Sequence, residues 1–162
     1  MKQNIIKMTK PIISCDIVQI GDTHIFLGSL AAANNVYILE KYDVKHVLSF
    51  LDFSPQLTCP DKFSYTLFFM HDNVQQDILS SIRKAIPMIE IAAQKKENVF
   101  IHCHMGISRS VSVVIAWLMW KKNMSFEHAL QMVKRHRYFA QPNFNFCNQL
   151  AQWEREKHYF HL

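Results

Sequence analysis

Val99-Phe-Ile-His-Cys-His-Met-Gly-Ile-Ser-Arg-Ser110 is the stretch on which the reading of this chain turns. Val99 to Cys103 is apolar, aromatic and β-branched, which predicts a buried strand. The next residues are short or polar and include Gly106, one of only three glycines in the chain, so a tight loop is expected there. From Ser110 to Trp120 the residues are almost all apolar, which predicts a long buried helix. A strand that passes through a short loop into a helix is a building block of an α/β sheet.

The flanking sequence extends that pattern. His24 to Leu27 reads as a short strand, with Ser29 capping a helix through Tyr42 whose stripe is Leu30, Ala33, Val36 and Tyr37. His46–Leu51 and Phe63–Met70 read as further strands, and residues 71–77 as a polar loop. Asp77 opens a helix with Ile78, Ile82, Ala85, Ile86 and Ile89 on one face, and Pro87 within it predicts a kink or break. Ser125 caps another helix and Asn143 begins the last one. The expected fold is α/β, a single domain with a central mostly parallel sheet flanked by helices. Residues 1–20 are expected to be a lead-in, 21–157 the domain and 158–162 a tail.

Composition narrows the setting. The 162 residues are 49% hydrophobic and 19% charged, which suits an ordinary globular core. A net charge of +5 reads as a mildly basic surface. The basic residues Lys121, Lys122, Lys134, Arg135 and Arg137 gather without the interleaved aromatics of a nucleic-acid platform, so no stable nucleic-acid partner is expected. Four widely spaced cysteines, Cys15, Cys59, Cys103 and Cys147, form no CxxC pair and point to a reducing compartment. No signal-like or membrane-length apolar run and no lipidation motif is found, so a cytoplasmic chain without a membrane anchor is expected, with the nucleus also open to it.

The chemistry lies in the spacing of Cys103 and Arg109. A loop of this length can curl until its amides converge, and the following helix adds the positive end of its dipole. Gly106 permits the turn, and Arg109 offers a planar fork that matches two phosphoryl oxygens. His104, Met105, Gly106, Ile107, Ser108 and Arg109 thus read as a phosphate cradle with the Cys103 sulfur at its base. A thiol in such a field is driven toward thiolate, the nucleophilic form. Attack on phosphorus also needs a proton for the departing oxygen. Asp72, in the polar loop, is the candidate acid, in a loop expected to swing over the pocket. Ser110 would donate to the leaving sulfur, while His102 and Ser108 support the loop. Asp77 reads instead as a helix cap and Asp52 as a turn residue, and Cys15, Cys59 and Cys147 as inert thiols. Adjacent residues of one strand cannot all face one ion, so His102, Cys103 and His104 do not form a zinc site, and no metal or cofactor is expected.

His102-Cys-His-Met-Gly-Ile-Ser-Arg-Ser110 resembles the HCxxGxSRS signature of the dual-specificity phosphatases. Phe26-Leu-Gly-Ser29, His46-Val-Leu-Ser49, Ala116-Trp-Leu-Met119 and the run from His136-Arg137 to Pro142-Asn143, Phe146 and Gln149-Leu150 extend the likeness over roughly residues 24–155. The resemblance implies a two-step phosphocysteine hydrolysis of phosphotyrosine and phosphoserine or phosphothreonine in proteins, with Asp72 at the family's acid position and Asn143 in support. The absence of an upstream rhodanese-like domain makes the chain similar to the small atypical members. Met105 departs from the alanine of many relatives; its amide is expected to line the cradle while its side chain points away, leaving catalysis intact and altering only packing beneath the loop. The alternatives are a catalytically weak phosphate-binding module, a phosphatase for a non-protein phosphoester, and a rhodanese-type sulfurtransferase, which the Arg109-Ser110 pair disfavours.

Overall fold

The structure is a computed structural model that describes residues 17–162. Cys15 and the start of the expected lead-in lie outside the described residues. The lead-in's last part, Ile17–Gln19, is a strand (β1) that pairs antiparallel with Ile25–Ser29 (β2). The remaining strands, Val44–Leu51 (β3), Ser64–Phe69 (β4) and Asn98–Cys103 (β5), are parallel to β2 in the order β1-β2-β5-β3-β4. The expected mostly parallel sheet is therefore present. Central β5 is buried from Val99 onward, as a strand covered on both faces requires.

One face is covered by Leu79–Gln94 (α3), Arg109–Lys121 (α4), Phe126–His136 (α5) and Phe144–Glu156 (α6). Their core includes Ile86, Val114, Leu118, Phe146 and the fully buried Trp153, whose indole N–H donates to the Ala116 carbonyl at 3.0 Å. The smaller opposite layer holds Leu30–Ala33 (α1) and Val36–Lys41 (α2), with Leu39, Val47 and Phe100 between. α4 is buried along nearly its whole length, which explains a sequence apolar all round rather than on one stripe.

Three local expectations are corrected. The segment from Leu30 to Tyr42 is two helices, because Asn35 leaves helical geometry and its side chain accepts from Ile38 N–H, starting α2 afresh. Ser29 makes no capping bond, and Tyr37 is exposed while Ile38 and Leu39 carry the burial. α3 runs unbroken through Pro87. The interior proline costs about 3 kcal/mol of helix stability, and fully buried Ile82, Ala85, Ile86 and Ile89 offset it by packing on the sheet.

Register then decides what can meet. Cys103 lies opposite Ser29 at the ends of β5 and β2, while β3 and β4 end together at Leu51 and Phe69. All four parallel strands release their loops at one edge of the sheet, the edge where α/β proteins bind ligands.

Candidate active site

Cys103 ends β5 at 2% exposure, so its Sγ lies at the bottom of the loop that follows. Gly106 N–H and Ser110 Oγ both donate to that sulfur at 3.2 Å. The loop's carbonyls all bond outward. His104 O accepts from Leu30 N–H, Met105 O and Gly106 O from Arg137, Ile107 O from Gln141 N–H, and Ser108 O from Ser112. With the carbonyls held on the outer side, the Gly106 N–H is left to reach the sulfur, the kind of donor that holding an anion there requires.

Gly106 is needed in that curl. Its φ is +65°, and a Cβ would stand 2.5 Å from the Gly28 carbonyl oxygen in β2 and 2.6 Å from an Arg137 nitrogen. Any side chain would therefore lift the loop from the sheet or expel Arg137. Met105 is 58% exposed, so its side chain points away from the cradle and does not pack beneath the loop. The outward orientation of its backbone carbonyl carries the side chain to the surface.

Arg109, at the first turn of α4, is 7% exposed. Its Nη1 donates to Met70 O at 3.1 Å and to Asp52 Oδ1 at 3.3 Å. Its Nε is buried without a hydrogen-bond partner among the described residues, 3.9 Å from Asp72 Oδ2. A buried guanidinium N–H left unpaired is costly unless something fills its direction. One edge of the fork is thus braced by the protein and the other is available to a ligand.

Two carboxylates flank that fork. Asp72 Oδ1 accepts from Ser108 Oγ at 2.8 Å and from the Asn143 amide at 2.7 Å, which leaves Oδ2 on the Arg109 side. Asn143 also caps α6 by accepting from Phe146 N–H, so one residue orders both helix and carboxylate. Asp52 is more than the turn residue expected, since its carboxylate meets Arg109 and approaches His71 Nδ1 at 3.7 Å. A backbone hydrogen bond and the Arg109 charge hold its carboxyl below the usual carboxylate range, against partial desolvation.

His102 lies beneath the loop at 1% exposure. Its Nδ1 is 3.1 Å from the Cys103 carbonyl and its Nε2 is 2.7 Å from Ser49 Oγ. A carbonyl only accepts, so Nδ1 carries the proton and Nε2 takes the serine hydroxyl. Burial holds this imidazole neutral, its pKa lowered to about 4.

The structure brings together Cys103, Arg109, Ser110, Asp72, Asn143 and the 104–108 loop as the sequence suggested. Arg137 was counted with a basic surface, yet it is 3% exposed and its guanidinium holds the loop carbonyls while its charge faces the Phe139 ring at 4.4 Å. Asp52 and the Met70 carbonyl carried no local signal. The 71–77 loop, expected to swing, is tied to α6 at its end: Asn145 and Gln149 both donate to Gln76 O, and Gln149 accepts from Ile78 N–H. Asp77 does cap α3, accepting from Leu79 N–H at 2.9 Å. Among the described residues no group of His, Cys, Asp or Glu could hold a metal ion, and no helix is long and apolar enough to cross a membrane.

Residues 25–156 match the family model "Dual specificity phosphatase, catalytic domain". The chain is 35% identical to the Arabidopsis thaliana protein-tyrosine-phosphatase MKP1 over 86% of its length, which is 18% of that relative. It is 36% identical to Arabidopsis thaliana dual specificity protein phosphatase 1B, covering 81% of this chain and 78% of the relative. The chain therefore spans only part of some relatives and most of others. A solved structure of a mouse putative dual specificity phosphatase matches with a TM-score of 0.83 at 24% identity, covering 91% of each chain, which supports the fold.

Proposed function

The chain belongs to the dual specificity phosphatase family, and from that premise we propose that it hydrolyses phosphotyrosine and phosphoserine or phosphothreonine in proteins through a phosphocysteine. The observation that carries this reading is the unpaired Nε of buried Arg109 on the helix that follows a sulfur already accepting two hydrogen bonds.

In the first step the phosphoryl group takes the ligand-facing edge of Arg109 and the inward amides of residues 104–108. The Cys103 thiolate attacks phosphorus, forming a P–S bond as the P–O bond to the substrate oxygen breaks. Asp72 supplies the proton that this oxygen needs, from the Oδ2 side left open by the bonds to Oδ1. In the second step water attacks phosphorus, Asp72 takes its proton, and the P–S bond breaks to release phosphate. Gly106 N–H and Ser110 O–H stabilise the returning thiolate. Asp52 is unsuited to the acid role because Arg109 and a backbone bond favour its ionised form.

Cys59, Cys103 and Cys147 are all unpaired, which suits a reducing compartment such as the cytoplasm. The protein should hydrolyse p-nitrophenyl phosphate and peptides carrying phosphotyrosine or phosphothreonine without added metal. Absence of turnover by fresh reduced protein, or full turnover by Cys103→Ser, would overturn the reading.

A further inference from the structure

Beside the cradle, on the α1 side, lies an open groove of about 430 Å³ lined by Leu30, Asn34, Phe53, Pro55, Leu57 and Thr58. Its lining adjoins the outer side of the cradle loop. Leu30 N–H donates to the His104 carbonyl, and the Phe53 ring stands edge-on to the His104 ring at 6.4 Å between centroids. Phe53 also directly follows Asp52, which meets Arg109. A separate small cavity of about 10 Å³ shares part of this lining and reaches Ser49 and His102, the residue before Cys103.

The chemistry of the lining is selective. No charged side chain lines the groove, although the chain carries 31 Asp, Glu, Lys and Arg residues (18 basic and 13 acidic). Phe53 and Leu57 are 40% and 42% exposed, so apolar surface remains to be covered. Asn34 and Thr58 add amide and hydroxyl groups of the kind that pair with an extended backbone. The volume falls in the range of ligand pockets and exceeds that of one large apolar side chain. An acidic residue placed there would lose water and gain no cation.

Resting on the phosphatase reading, we infer that this groove receives an apolar side chain adjacent to the phosphorylated residue of the protein substrate, with Phe53 as the specificity-determining residue. The site therefore reads neutral, apolar context on one side of the phosphoresidue and disfavours acidic context there.

Phosphotyrosine peptides that differ only in Leu or Glu at each position flanking the phosphoresidue test this. At one flank the wild-type protein should favour Leu by about tenfold in kcat/KM, the scale set by burying one or two methylenes. Phe53→Ser, and independently Leu57→Ser, should lower kcat/KM for the Leu peptide and change that for the Glu peptide less than twofold. Peptide binding to Cys103→Ser, measured by fluorescence polarisation, reads the same preference without turnover. Failure of p-nitrophenyl phosphate hydrolysis would count against the phosphatase reading, while a Leu preference in binding would still support the groove. Equal binding of Leu and Glu peptides at every position, or a preference untouched by both substitutions, would overturn the inference.

Discussion

The loops that leave β3 and β4 end in similar ways and are held differently. Each places an aspartate beside Arg109, Asp52 from the first and Asp72 from the second. The loop after β4 is bound to α6 through Asn143, Asn145 and Gln149. It holds the oxygens of Asp72 unequally, one with two donors and one facing the ligand side of the guanidinium. The Asp52 carboxylate is bound directly to the guanidinium, and the rest of its loop faces the open groove. Two carboxylates of one residue type thus acquire different work from their partners. Both approach Arg109, but Asp52 meets the Nη1 that Met70 also holds, whereas Asp72 keeps one oxygen without a hydrogen-bond donor on the side of the unpaired Nε.

That contrast can be broken most strongly at Asp72. Asp72→Asn should lower kcat by roughly 10²–10⁴ for a phosphoserine peptide, and less for p-nitrophenyl phosphate, whose leaving group needs little protonation. A loss equal for both substrates would remove Asp72 from the acid role.

A smaller effect comes from the strand beneath both loops. His102 is held neutral with a pKa lowered to about 4 from 6.5 unfolded, so the unfolded chain binds the extra proton between those values. Stability is complete above about pH 6.5 and is lost as pH falls through about 4, by about 3 kcal/mol in all. Urea unfolding at intermediate acidic pH should reveal a loss that His102→Gln abolishes. Persistence of the same pH slope in that variant would assign it elsewhere, and the profile must be known before any acid limb of activity is credited to an aspartate.

Asp52→Asn should cost about tenfold in kcat/KM, the scale of one charge-assisted hydrogen bond on Arg109, and the loss should be similar for good and poor leaving groups. A leaving-group dependence like that of Asp72→Asn would erase the distinction between the loops. Asn143→Asp, which places a like charge beside Asp72, should raise the pH at which the basic limb of kcat/KM falls, because the acid must be protonated to act; Asn143→Ala should cost only a few-fold. An unchanged basic limb in Asn143→Asp would indicate that Asp72 does not set it.

Much of this site was legible because it is local. Cys103, Gly106, Arg109 and Ser110 lie within eight residues, and their types state the chemistry of an anion held over a thiol. Asp72 was read from its place in the polar loop and then matched by resemblance, Asn143 as the start of a helix and a matching position, and the structure joins them by one hydrogen bond across 71 positions. What escaped is non-local or made by the backbone. Asp52 is 57 residues from Arg109 in the chain, and the Met70 contact is a carbonyl that any residue could supply. Arg137 looked like surface charge because burial is not visible when an arginine's acceptors are carbonyls 31 and 32 residues away. The fold was read at the level of layers, while the α1–α2 break turned on the Asn35 side chain and the continuity of α3 through Pro87 on burial.

The central claim is that Cys103 carries the phosphoryl group. Wild-type and Asp72→Ala protein can be mixed with a phosphotyrosine substrate, quenched in acid within a turnover, and digested for mass spectrometry. The account predicts a phosphate adduct on the peptide containing Cys103, present in wild type, formed more slowly in Asp72→Ala because formation and hydrolysis both lose their proton-transfer group, and absent in Cys103→Ser. Turnover without any adduct at Cys103, or an adduct on another residue that persists in Cys103→Ser, would contradict it.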